Sequence, residues 1–336
     1  MRAFALVTLM TLAAAPAAAQ TMLRMATPIP DGTVWAREIR GLAREIEDRT
    51  HGQVRLKVYF SGIAGDELEV GERIARDQLD GAFSGGMLCM RLAPSMRVMR
   101  VLGLFQGREE LSYVLGRLKQ NIDDEFRKAG FVNLGLVGVG PELVFSRKPI
   151  ATLAQLKTAK LWIWSADNTL GPELRRLGFA MTPAPLPAAA RLYDDGQVDG
   201  FIAAPAAALA FQWSAQAHYL LPLRLASLDA CTIISNRAFD PLPLEYQQII
   251  RQASARAIAH LDDAVAAQDQ ALLNGLFARQ GVHTTAVPPV LRAQFFDAAR
   301  AARDKMDAAM IPPVLLDRVL SLLADFRAEH RAPGAD

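Results

Sequence analysis

Metal-ligand spacing is missing from this chain. Its histidines, His51, His218, His260, His283 and His330, lie far apart, and no His-x-x-x-His or Cys-x-x-Cys pair occurs. Catalytic signatures are missing too: there is no Gly-x-Ser-x-Gly elbow, no cysteine–histidine pair at a known spacing and no phosphate-binding glycine loop. The paired acids Asp194-Asp195 and Asp262-Asp263 fall on expected helices, where sequence neighbours do not share a face. These absences argue against an enzyme, and no cofactor is expected. Charge of one sign is also lacking. The net charge is only +2 and the basic residues are interspersed with acids, so nucleic acid and acidic membrane surfaces are not expected partners. Beyond the N-terminus no segment is apolar enough to cross a bilayer, and repeats and low-complexity linkers do not occur. There are two cysteines, Cys89 and Cys231. Two cysteines carry no spacing signature, so the expectation is a pair of small buried side chains, with a disulfide as the alternative in an oxidising compartment.

What is present begins with an export signal. Arg2 supplies a positive start, Phe4 to Ala15 a short apolar run, and Ala17-Ala18-Ala19 before Gln20 a small-residue cleavage site, so residues 1–19 read as a signal peptide. The run is too short to span a bilayer comfortably, which takes about 20 residues. No cysteine follows the site and no twin arginine precedes it. The mature protein is expected to be soluble and exported to a bacterial periplasm. Roughly 315 residues then remain, enough for two lobes at about 150 residues each.

The mature chain starts as strand, helix, strand, helix, strand. Met22 to Ala26 is a short apolar run ended by Pro28 and Pro30. Trp35, Ile39, Leu42 and Ile46 recur at helical spacing over Val34 to Thr50, and Val54, Leu56 and Val58 then alternate as in a strand. Asp66 with Glu69 has the form of a capping box, and the helix it opens runs into a third strand at Gly81-Ala82-Phe83. Such alternation predicts parallel βαβ units that bind ligand at the carboxyl ends of their strands. A second set starts near Val132–Val137. Thr152 and Gln155 form another capping box before a strand at Lys160–Ile163. Helices are expected over Asn168–Leu177 and Ala188–Asp195, and strands at Gln197–Ile202 and Thr232–Ile234. A long alanine-rich helical stretch runs from Leu244 to about Gln280, Pro288-Pro289 ends it, and amphipathic segments follow at Leu291–Ala309 and Val314–Ala328. Arg331 to Asp336 reads as a frayed tail.

Five blocks in this order resemble the solute-binding subunits of TRAP transporters, the DctP-like family. Thr27-Pro28-Ile29-Pro30-Asp31-Gly32-Thr33-Val34-Trp35-Ala36 is similar to the family's "TPEGSPWA", and Tyr59 to Glu67 (YFSGIAGDE) to its "YPGGQLGDE". Gln78-Leu79-Asp80-Gly81-Ala82 resembles "GQLDGA", Phe145 to Ile150 followed by Leu156-Lys157 resembles "TNSKRPIRTPEDLKGLK", and Gly196 to Gly200 resembles "TGVVDGQENP". Each block alone is weak; their order and separation carry the resemblance. It implies an α/β, two-lobed periplasmic binding protein-like fold (type II), with parallel-rich sheets flanked by helices and a long helix spanning both lobes. Residues 22–139 with 228–268 would form lobe I; residues 140–227 with 269–330 would form lobe II and the C-terminal helices. It further implies closure on a small-molecule solute and its delivery to small and large integral membrane subunits.

Position by position, the resemblance also implies a loss. The family's carboxylate-clamping arginine, in "LKGLKIRVP", aligns with Trp162 of Leu156–Trp164. The asparagine, glutamine and glutamate of "DGQENP" align with Ala203, Phe201 and Ile202. A second arginine falls on or beside Glu142, and a polar pair after the third strand falls on Gly85, Gly86 and Leu88. A carboxylate in a closed cleft is a buried charge that needs pairing. A guanidinium supplies two parallel hydrogen bonds, whereas an indole supplies one N–H and a large apolar face. A weakly polar or aromatic solute is therefore expected. Trp162, Trp164, Phe201, Trp35 and Trp213 are its candidate walls, with Ala203, Ser165, Glu142, Gly85 and Leu88 beside them. The alternative for the aromatics is that they fill a lobe core, and for Glu142 that it is a solvated surface acid. Two rival functions stay open. One is an organic-acid receptor whose basic anchor has moved to a residue such as Arg147 or Arg191. The other is a degenerate receptor with a filled cleft that acts as a protein-interaction module.

Overall fold

The computed structural model describes residues 20–330. The expected signal peptide, residues 1–19, and the expected tail, residues 331–336, lie outside the described residues. One mixed sheet organises the molecule. Its strands are β1 (Thr21–Ala26), β2 (Val54–Tyr59), β3 (Gly81–Ser84), β4 (Phe131–Ser146), β5 (Leu161–Trp164), β6 (Met181–Ala184), β7 (Gly200–Ala203), β8 (Tyr219–Ser235) and β9 (His283–Thr284). They lie in the order β2-β1-β3-β8-β4-β7-β5-β6, with β9 pairing β8. The outer strands are parallel within each flank, β1 with β2 and β3, and β5 with β6 and β7. The two long central strands run antiparallel to each other, β8 to β3 as well, and β4 to β7.

Strands β4 and β8 are shared by both lobes. The first lobe hangs on Cys231–Ile234 of β8 through β3, and the second on Leu143–Ser146 of β4 through β7. Between these points the ladder slips at Asn133/Gly135, Gly138/Gly140 and Glu142/Val144. Such bulges bend a strand and raise its twist, so the waist is where the sheet turns from one lobe into the other. Gly140 sits there at φ 129, and a Cβ on it would meet the Asp269 carboxylate at 2.5 Å. Only glycine meets both constraints comfortably.

The two-lobed α/β fold expected from the sequence is the observed one. The helix Val34–Arg49 forms as its periodicity predicts, burying Trp35, Ile39, Leu42 and Ile46, with Thr33 capping Ala36 N. Helix Leu244–Ala271 packs on Val34–Arg49 in one lobe, on β4, and on Pro205–Ala210 in the other, so it spans both. The helical stretch continues through a π turn at Leu272–Leu276, kinked at Gly275, to Arg279. The capping box at Thr152 and Gln155 is present. The one at Asp66 is not: Asp66 caps through Glu67 N, and its carboxylate is drawn instead to a tryptophan across the cleft. Helix Arg108–Lys128 was not read from the sequence, and it packs against the C-terminal helix Pro313–Glu329. The reading of the cysteines as unbridged is also corrected. Pairing of β3 with β8 sets Ser84 opposite Cys231, and Cys89, on the helix that follows β3, bonds to Cys231 with Cα atoms 5.9 Å apart.

Candidate functional site

The carboxyl ends of β1, β3, β5 and β7 face one another across the waist. There they enclose a cavity between the lobes. One wall comes from the first lobe: Pro28, Ile29 and Pro30 after β1, Trp35, and Gly85 and Met87 after β3. The facing wall comes from the second: Trp162 and Trp164 of β5, Ala203 and Ala204 at the end of β7, and Phe211 and Trp213. The waist contributes Val139, Glu142 and Leu228 as the floor.

Alternation along β5 sets the aromatic wall. Trp162 and Trp164 join one apolar cluster while Leu161 and Ile163 join another, so both indoles share the cavity side of the strand. Trp162 meets Trp213 edge to face with ring centroids 5.1 Å apart, and Phe211 stacks on Trp213 at 5.0 Å. These geometries suit the ring quadrupoles and hold the wall rigid. The Trp162 Nε1 donor is shielded and has no hydrogen-bond partner.

The polar part of the cavity is a buried triad. Arg100, at the end of the turn Pro94–Arg100, is 1% exposed. Its Nη1 donates to Glu142 and, at 3.3 Å, to the Ser227 carbonyl; its Nη2 donates to Asp167. Asp167 follows β5 and caps the next helix, its Oδ1 accepting from Thr169 N and Leu170 N at 2.8 Å each. Burial pushes the Glu142 carboxyl up from its ordinary value; Arg100 pulls it back and Asp167 pushes it up again. Burial also works against the Arg100 charge, but the two carboxylates outweigh it and raise its pKa.

The lobes also touch at the mouth. Trp164 Nε1 donates to Asp66 Oδ1 and Oδ2 at 3.0 and 2.9 Å, and Leu186 N donates to the same carboxylate at 3.3 Å. Gly85 lies under the Trp164 ring, where a Cβ would come within 3.8 Å of Cζ3. Glu67, next to Asp66, is buried. Its carboxylate accepts from Gly85 N, from Leu88 N at 2.9 Å and from Ser84 Oγ at 2.8 Å, which fixes the turn under that ring.

Of the residues singled out from the sequence, Trp35, Gly85, Glu142, Trp162, Trp164, Ala203 and Trp213 line the cavity. Three do not. Phe201 stacks on Phe145 at 5.0 Å and packs against Tyr193 and Trp213, inside the second lobe. Leu88 is turned toward Gly71, and Ser165 is exposed beyond β5 with its N–H on the Ala184 carbonyl. Glu142 is buried, not a solvated surface acid. The arginines named for a relocated anchor lie elsewhere. Arg147 sits over the Tyr193 ring at 3.8 Å, and Arg191 is an exposed partner of Asp195. Arg100 and Asp167 were missed. The available signals were an arginine inside the apolar run Val98-Met99-Arg100-Val101-Leu102, and an aspartate two residues before a threonine at a helix start.

A waist shared by two α/β lobes, with the cavity between them at strand ends, defines a solute-binding receptor fold. Residues 25–309 match the model of the DctP family, described as bacterial extracellular solute-binding protein, family 7. The chain belongs to that family, and the resemblance to TRAP solute-binding subunits is borne out. It is 24% identical over 263 residues to a solute-binding protein of Sulfitobacter sp. strain NAS-14.1, covering 74% of this chain and 76% of that one. Its fold matches the sugar acid binding protein DctPAm of Advenella mimigardefordensis in complex with galactonate (TM-score 0.84, 16% identity, 91% of this chain and 99% of that one). It also matches a TRAP periplasmic solute-binding protein of Xanthobacter autotrophicus with bound β-D-galacturonate (TM-score 0.80, 20% identity, 90% and 99%).

Proposed function

We propose that this receptor works in the bacterial periplasm without catalysis and delivers a small, weakly polar or aromatic solute to the small and large membrane subunits of a TRAP carrier. Residues 22–139 with 228–268 act as one closing lobe, and residues 140–227 with 269–330 as the other. The solute rests against Trp35, Trp162, Trp164, Trp213, Ala203 and Gly85, with Glu142 as its polar neighbour. One observation carries the reading: Trp162 stands where the family's anchoring arginine is expected, and Arg100, the guanidinium on the cavity wall, is held by two carboxylates. A third anion beside Glu142 and Asp167 has no free cation to pair with on the cavity wall among the described residues. Apolar burial, at about 25 cal/mol per Å², is the interaction the walls offer most of.

A thermal-shift screen of short-chain carboxylates against neutral aromatics tests this. Saturating ligand stabilises by RT ln(1 + [L]/Kd), about 2.7 kcal/mol at a hundredfold excess over Kd. Stabilisation by neutral aromatics and not by uronates or aldonates is expected; the reverse overturns the reading. The acid ligands of the structural neighbours favour a second reading, in which Arg100 exchanges a carboxylate partner for a ligand acid. Trp162→Arg separates the two. It should create acid binding under the first reading and add little under the second.

A further inference from the structure

The cavity wall carries an uneven charge count. Arg100 contributes one positive charge, and Glu142 and Asp167 two negative ones, all three buried and lining the same space. Asp167 is spoken for on both oxygens, by Arg100 on one and by two backbone N–H groups on the other. Glu142 is not. Its Oε2 holds Arg100, while its Oε1 has no hydrogen-bond partner among the described residues, although Glu142 is 5% exposed and faces the cavity floor. The triad keeps one excess negative charge beside the cavity, and a neutral hydroxyl would satisfy the oxygen without offsetting that charge.

The walls around it have the matching preference. Trp162, Trp213, Trp35 and Phe211 line the same space, Phe211 stacked on Trp213 and Trp162 set edge to face with it, and aromatic-rich enclosures attract ammonium groups. Basic side chains that could repel such a group are absent from the wall apart from Arg100, which is already paired.

We propose that the solute carries a positively charged nitrogen, as a protonated amine or quaternary ammonium on a compact apolar body, and that Glu142 Oε1 within the Arg100–Glu142–Asp167 triad selects it. This inference rests on the apolar-solute reading above and adds the charge of the solute to it. The position that clamps an acid in the family's pattern becomes an aromatic wall, and the polar floor changes sign with it.

Calorimetric titration of the mature protein at neutral pH with benzylammonium, benzyl alcohol and benzoate tests the proposal, since the three share one ring and differ in charge. Benzylammonium is expected to bind at least tenfold more tightly than benzyl alcohol, and benzoate not to bind. Benzyl alcohol binding as well as or better than benzylammonium overturns the cation proposal and leaves the apolar reading standing. Binding of benzoate alone overturns both, and so does binding of none, which points to a filled cleft. Glu142→Gln should reduce the benzylammonium-to-benzyl alcohol affinity ratio at least tenfold, and an unchanged ratio overturns the role given to Glu142. If that variant does not fold, Asp167→Asn changes the same charge count and is read the same way.

Discussion

The indole N–H of Trp164 donates to both oxygens of Asp66, at 3.0 and 2.9 Å, and so ties the second lobe to the helix cap of the first. A hydrogen bond to a charged acceptor contributes about 1.5–3 kcal/mol, enough to shift an open–closed equilibrium about tenfold or more. Trp164→Phe keeps most of the ring and removes the donor. Small-angle scattering of the ligand-free variant should show a larger radius of gyration than wild type. An unchanged curve means that the contact does not hold the lobes together.

Arg100 pairs with two carboxylates that meet no other cation in the cavity among the described residues. Removing one partner of a buried ion pair costs about 3–5 kcal/mol, because the charge left behind is unpaired. Arg100→Gln should lower stability in urea by that amount at pH 8. With Arg100 gone, burial and the neighbouring Asp167 both push the Glu142 carboxyl up, with no cation to pull it back. The deficit should therefore shrink as pH falls and Glu142 takes a proton. A deficit equal at pH 5 and pH 8 contradicts this.

Asp229, on β8 behind the cavity, is buried with Oδ2 unpartnered. Burial pushes its carboxyl up to about 7, against the pull of nearby Arg108. Its folded pKa lies above the unfolded value of about 3.9, so its contribution is fully present below about pH 4 and is lost as pH rises through 7. Asp229→Asn removes that dependence. Chemical denaturation should find the variant more stable than wild type at pH 8, on the order of a few kcal/mol, with the gap closing toward pH 4. A gap that widens on acidification contradicts the assignment.

The disulfide closes a sequence separation of 142 residues between Cys89 and Cys231. In the chain-entropy model loops of this size stabilise by about 4–5 kcal/mol, and measured losses run about 2–5 kcal/mol. The double variant Cys89→Ala with Cys231→Ala should unfold at a correspondingly lower denaturant concentration. An unchanged midpoint means the bridge adds nothing.

Local pattern made much of the fold legible. The stripe of Trp35, Ile39, Leu42 and Ile46 foretold a helix and its buried face, and alternation along β5 correctly set Trp162 beside Trp164. What stayed hidden depends on contacts distant in sequence. Asp66 looked like half of a capping box because its true partner, Trp164, is 98 residues away. The cysteine pair waits on the pairing of β3 with β8. Phe201 shows the limit of reading a site by alignment. The resemblance made it a candidate contact on β7, but its phenyl ring finds Phe145 and Tyr193 and turns into the lobe core. Arg100 left a signal in the sequence, a charge inside an apolar run, but its role depends on the acids that hold it, 42 and 67 residues away.

Native mass spectrometry of the protein purified from its own host, with the released small molecule identified, bears most directly on the proposed exchange of a guanidinium anchor for an indole at Trp162. The account predicts a compact, largely apolar molecule without a free carboxylate. Recovery of a uronate, an aldonate or another small organic acid would contradict it.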